Sequence, residues 1–72
     1  MHRLYPIDPE LARRMAERRR RLRLTQNQVA LAAGLSESTV AKLETSRLPF
    51  SPEHLSAVEC ALAAAEQQVA AR

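Results

Sequence analysis

The chain has 72 residues, a mass of 8.1 kDa and a formal net charge of +3. A chain this short buries only about 60% of the surface its unfolded form exposes, which leaves room for one core and one domain. Thirteen alanines against one glycine and two aromatic residues favour helix over strand. The single Cys60 excludes an internal disulfide and with it a stapled, secreted scaffold. No apolar run approaches the roughly 20 residues of a membrane span, and the N-terminus lacks the uninterrupted apolar stretch of a signal peptide. The expectation is a cytoplasmic, all-α minidomain with no membrane partner.

Charge is unevenly spread. Residues 13–23 hold seven arginines and one glutamate, a local +6, and the remaining residues carry four positive and seven negative charges, or −3. Such a concentration is the footprint expected of a phosphate-binding surface, although arginine is also a good helix former on a solvated face.

In chain order, residues 1–7 have no periodicity and read as an arm. Asp8-Pro9-Glu10 is a helix start: an N-cap, a proline at the first helical position, and an acid near the positive end of the dipole. Leu11, Met15 and Leu22 mark one face with Ala12 and Ala16 beside them, which predicts a first helix over roughly 9–23. Thr25-Gln26-Asn27-Gln28 forms a capping box. The helix it opens turns Val29, Ala30 and Ala33 inward and ends at Gly34 as a left-handed C′ residue. Ser36 caps a third helix whose apolar positions are Val40 and Leu43, with Glu37, Ser38, Thr39, Ala41 and Lys42 elsewhere. Residues 45–50 read as a loop, and Ser51-Pro52-Glu53 repeats the cap, proline and acid signature. The fourth helix has no breaker and runs to about residue 70, with the stripe Leu55, Val58, Leu62, Ala65 and Val69.

Two short helices joined by a tight glycine-containing turn, the second of them polar on one face, form a helix-turn-helix pattern. Ala30 lets the second helix cross closely, Gly34 supplies the positive φ of the turn, and Val40 and Leu43 anchor the second helix from beneath. Helices of this length are marginal alone and need the first and fourth as a platform. The stretch Leu24-Thr25-Gln26, Val29-Ala30, Ala33-Gly34-Leu35-Ser36, Thr39-Val40 and Leu43-Glu44 resembles the phage repressor/Cro-type (XRE-like) helix-turn-helix family. The likeness extends back through Arg19 and forward through Pro52 to Leu62, covering roughly residues 9–64.

The resemblance implies a lambda-repressor-like bundle of four helices, with room for a fifth, forming one DNA-binding domain over residues 1–72. The motif spans residues 25–44, and residues 63–72 form a C-terminal extension. The motif's second helix is implied to lie in the major groove of double-stranded DNA. Carried over residue by residue, Glu37, Ser38 and Lys42 fall where the family reads bases, with Thr39 adjacent. Their chemistry fits independently: Lys42 suits guanine O6/N7, Ser38 and Thr39 suit several bases, and Glu37 suits cytosine N4. Phosphate contacts are expected from Gln26 at a helix N-terminus, from Thr45, Ser46 and Arg47 after the third helix, and from Arg23 beside the motif. Glu44 resembles the family's acid that pairs with an arginine of the first helix, here Arg19, as a structural ion pair. Relatives carry Asn-Gly where this chain has Thr45-Ser46, and commonly turn into a further short helix where this chain continues past Leu62.

The resulting expectation is a sequence-specific transcriptional regulator, a repressor that binds an inverted repeat as a homodimer through Leu62, Ala65 and Val69. The rivals are an antitoxin whose chain end holds a toxin, a protein-interaction adaptor using the same module, and, more weakly, an arginine-rich helix for structured RNA. No nucleophile–base set, metal-ligand spacing or phosphate loop points to an enzyme, a metal or a cofactor. His2 and His54 are too far apart in sequence to indicate a metal site. Plainer roles are assigned to Ser36 as a cap, to Cys60 as a small filler off the main stripe of the fourth helix, and to Arg18, Arg20 and Arg21 as solvated charges. Tyr5 and Arg3 are read as part of a frayed terminus.

Overall fold

The structure is a computed structural model describing residues 9–45 and 52–71. Four helices follow one another: α1 Pro9–Arg21, α2 Gln26–Ala33, α3 Glu37–Thr45 and α4 Pro52–Ala70. No strand occurs among the described residues, and the architecture is the all-α bundle of four helices that the sequence predicts. No fifth helix appears among the described residues; α4 runs unbroken through its alanine-rich end. The arm at residues 1–7, the caps Asp8 and Ser51, and the loop residues Ser46 and Arg47 lie outside the described residues.

Each helix boundary has a local cause. Pro9 and Pro52 open α1 and α4, where a missing N–H costs nothing because the first turn has no partner for it. Thr25 is extended at the N-cap of α2, its hydroxyl accepting from Gln28 N–H at 3.0 Å while Gln28 Oε1 accepts from Thr25 N–H at 2.8 Å. This is the reciprocal capping box expected from the sequence. Gly34, at φ +72°, closes the helix with its own N–H on Leu31 O and the Leu35 N–H on Ala30 O. Ser36 Oγ accepts from Thr39 N–H at 3.1 Å and starts α3.

The first helix stops two residues earlier than its periodicity predicts. Arg23 takes φ +57°, its N–H bonds Arg20 O at 3.0 Å, and the Leu24 N–H reaches back to Arg19 O at 3.2 Å. These are the two bonds of a Schellman stop, here made with an arginine in the place glycine favours.

One core joins all four helices. Met15 from α1, Val29 and Ala30 from α2, Val40 and Leu43 from α3, and Val58 and Leu62 from α4 are buried together. Leu11, Leu22, Leu24, Ala33, Leu35 and Leu55 seal its edges. Each fully buried large apolar side chain contributes about 1.5–3 kcal/mol. That contribution is what holds α2 and α3, of 8 and 9 residues, since helices this short do not persist alone. The motif helices pack on each other, α2 also packs along α4, and α1 lies against α3. The third helix is therefore braced from beneath while its outer side stays open.

Candidate DNA-binding surface

The core contacts of α3 define its open face. Val40 and Leu43 have no exposed surface, which rotates Glu37, Ser38 and Lys42 into solvent. Ser38 and Lys42 are four residues apart and so are neighbours along one helix face. None of the three makes a side-chain hydrogen bond or ion pair among the described residues, so their donors and acceptors are available. Thr39 stands differently. It is half-buried, and its hydroxyl lies 2.8 Å from Ser36 Oγ. That contact ties it to the cap as well as to the edge of the open face.

The expected phosphate contacts divide into three cases. Gln26 opens α2, but its side-chain amide turns inward and donates to Glu44 Oε1 at 3.1 Å, leaving one of its two amide protons for any other partner. Thr45 has its hydroxyl engaged within α3. It ends α3, and its Oγ1 donates back to Ala41 O and Lys42 O at 3.1 and 3.2 Å, the local back-bonding open to a threonine inside a helix. Arg23 is exposed in the turn between α1 and α2. Ser46 and Arg47 lie outside the described residues.

Arg19 is the joint of the motif. Its Nε and Nη2 donate to the two carboxylate oxygens of Glu44 at 2.7 and 3.0 Å, and Nη1 donates to Leu24 O at 2.8 Å. The two side chains are 12% and 6% exposed. One guanidinium thus connects the end of α1, the turn into α2 and the end of α3, with Gln26 as a further donor to the same carboxylate. Arginine's planar fork supplies two parallel bonds to a carboxylate with donors left over for the carbonyl, a geometry lysine cannot reproduce.

The basic run is much less of an open positive surface than its composition implies. Arg13 pairs with Glu10 and Glu17, Arg14 with Glu10, and Arg21 with Glu17 at 3.9 Å. The hydrogen bond from Arg13 holds the Glu10 carboxyl below its ordinary value. Arg18, expected as a solvated charge, instead bridges α1 to α4. Its Nη1 bonds Glu59 at 2.7 Å, and Nε and Nη2 bond the two oxygens of Glu66 at 3.0 and 2.7 Å. Nothing local to α1 points to Glu59 and Glu66 as its partners. Their seven-residue spacing puts both on one side of α4, which is the signal that was present. Arg20 and Arg23 alone among the seven arginines make no ion pair among the described residues.

The Arg18 bridge has a pH signature. The hydrogen bond from Arg18 lowers the Glu66 carboxyl below its ordinary 4.5. In the unfolded chain this group takes up a proton first as pH falls, so the bridge's stabilisation is present above about pH 4.5 and disappears as pH drops through the lowered folded value. Thermal melts should show Tm falling below pH 4.5 more steeply in the wild type than in Arg18→Gln, which lacks the bridge. Identical acid slopes in the two proteins would refute this assignment. The carboxylate is partly solvent-exposed, so the effect is modest.

No helix among the described residues is long and apolar enough to cross a membrane, and no group of three His, Cys, Asp or Glu residues is gathered as a metal ion would require. No curated protein matches the chain significantly. The family model for a helix-turn-helix domain matches residues 10–71, from the first turn of α1 to the residue after α4, and therefore takes in the capped α2–α3 pair, its glycine turn and both supporting helices. The chain belongs to the helix-turn-helix domain family, a family of DNA-binding regulators.

Proposed function

We propose that this protein is a transcriptional repressor that reads an inverted-repeat operator as a homodimer, with α3 in the major groove of each half-site. The observation that carries this reading is the outer face of α3. Glu37, Ser38 and Lys42 are exposed and unpartnered among the described residues, on a helix whose opposite side is fully buried. A polar face held this firmly from beneath, without partners of its own, suits the reading of base edges. Thr39 supports it from the edge. Gln26, Arg23, Thr45, Ser46 and Arg47 supply the surrounding backbone contacts, the Thr45 hydroxyl turning from its helix carbonyls to do so. One module reads few base pairs, and two copies on half-sites about one helical turn apart extend the site. The exposed end of α4, with Ala65 and Val69, serves as the contact between copies. A repressor of this kind acts on cytoplasmic DNA.

The test is a titration of the purified protein against DNA from upstream of its own gene and against a shuffled duplex of equal composition, at about 150 mM salt. A preference of roughly a thousandfold or more is expected for sequence-specific recognition. Lys42→Ala should cost about 1–3 kcal/mol of that preference and leave the weaker binding to the shuffled duplex nearly unchanged. A uniform loss on both duplexes would make Lys42 a phosphate contact instead. Equal, weak binding of the wild type to both duplexes, followed by failure to enrich any sequence in a genome-wide selection, would favour the adaptor or antitoxin readings.

A further inference from the structure

The turn between α1 and α2 holds a residue that its backbone disfavours. Arg23 is the only non-glycine residue with positive φ among those described, at +57°. A side chain there crowds the following carbonyl, a cost that glycine avoids. The conformation is fixed from both sides. The Arg23 N–H is held by Arg20 O, the Leu24 N–H by Arg19 O, and the Leu24 carbonyl by Arg19 Nη1. The Arg23 side chain itself is exposed and has no acidic partner among the described residues. Five of the other six arginines in the same run do have one. Arg23 also stands two residues before the Thr25 cap of α2, on the approach to the motif. Strained residues cluster at sites that serve a ligand, and here the backbone is held by the fold while the side chain has no partner among the described residues.

We propose that Arg23 is a pre-set anchor for one phosphate of a DNA backbone, and that the chain gives up the stability of glycine at this turn to keep it. The inference rests on the DNA-binding reading above, which already counts Arg23 among the backbone contacts, and adds that its main chain is locked before the duplex arrives, at a cost in stability. A guanidinium offers a planar fork of donors to phosphate oxygens, and its fixed stem reduces the ordering that binding would otherwise require. Because the contact is to the backbone, it strengthens binding to every sequence alike.

Three variants test this: Arg23→Gly, Arg23→Lys, and Arg20→Ala as a loss of the other unpaired arginine's charge without backbone strain. Each is melted and then titrated against a shuffled duplex of about 25 base pairs between roughly 50 and 200 mM salt. Arg23→Gly is expected to raise Tm by roughly 2–6 °C, the relieved strain less the greater entropy of an unfolded glycine, to weaken binding several-fold, and to flatten the slope of log K against log salt by about 0.9. Arg23→Lys should keep the slope without the gain in Tm, and Arg20→Ala should change the slope by less than half as much. The anchor is overturned if Arg23→Gly binds with an unchanged slope, if its Tm does not rise, or if Arg20→Ala costs as much binding. A wild-type protein that binds no duplex even at 50 mM salt would overturn the DNA-binding reading and Arg23's role with it. Wild-type binding that Arg23→Gly leaves intact would overturn the anchor alone.

Discussion

Arg19→Ala is expected to destabilise the protein by about 3–5 kcal/mol, because it leaves a buried carboxylate without its counter-charge. The Glu44 side chain is only 6% exposed, and with Arg19 gone its one remaining side-chain donor among the described residues is the amide of Gln26. The Leu24 carbonyl loses its guanidinium bond as well, so the turn before α2 and the end of α3 loosen together. A domain of this size has little stability in reserve, and the loss corresponds to a fall in Tm of about 12 °C or more. Urea unfolding followed by helical circular dichroism measures it. A double variant, Arg19→Met with Glu44→Met, removes the stranded charge and should regain most of the stability, since apolar replacement of a buried pair is often neutral or better. A single-variant cost below about 1 kcal/mol would place the pair energetically with surface salt bridges and remove it as the joint of the motif.

What the sequence shows of this fold depends on how far apart the interacting atoms lie along the chain. The capping box of Thr25 and Gln28 and the glycine stop at Gly34 are legible because every bond in them closes within five residues. The end of α1 is just as local, yet periodicity places it two residues late, because arginine carries no sign of a left-handed residue. What sets that turn is the need of Leu22 and Leu24 to reach the same core. Arg18 fails for the opposite reason. Its partners are 41 and 48 residues away, and a local reading of α1 has no means of finding them. The open face of α3 is legible from two residues, Val40 and Leu43, because their complete burial fixes the rotation of the helix. The inward turn of Gln26 is not, since an amide at a helix start suits a phosphate and a neighbouring carboxylate equally well.

The stripe on α4 shows where periodicity alone runs out, and it leads to the second large effect. Leu62, Ala65 and Val69 lie on one continuous seam, and all three were expected to meet a second copy. Leu62 does not: it is 1% exposed and belongs to the core with Met15 and Leu43, so its side chain is unavailable to a partner. Ala65 is half-buried, and Val69 is 56% exposed. The seam leaves the protein's own core between residues 62 and 69, where Ala65 and Val69 face Leu22 and Leu24 of the turn between α1 and α2, and nothing in α4's own sequence marks that point. Leu62→Ala should therefore cost about 2–5 kcal/mol through the lost burial and the cavity left behind, by an amount independent of protein concentration. Val69→Asp should change the monomer's stability by no more than about 0.5 kcal/mol, as expected for an exposed position, but should weaken self-association measured by sedimentation. If Leu62→Ala instead left the unfolding midpoint intact and dissociated the protein, the core would be wrongly drawn. If Val69→Asp left association unchanged, copies would have to meet elsewhere. Leu31 of α2, 73% exposed, is then the next apolar side chain to charge.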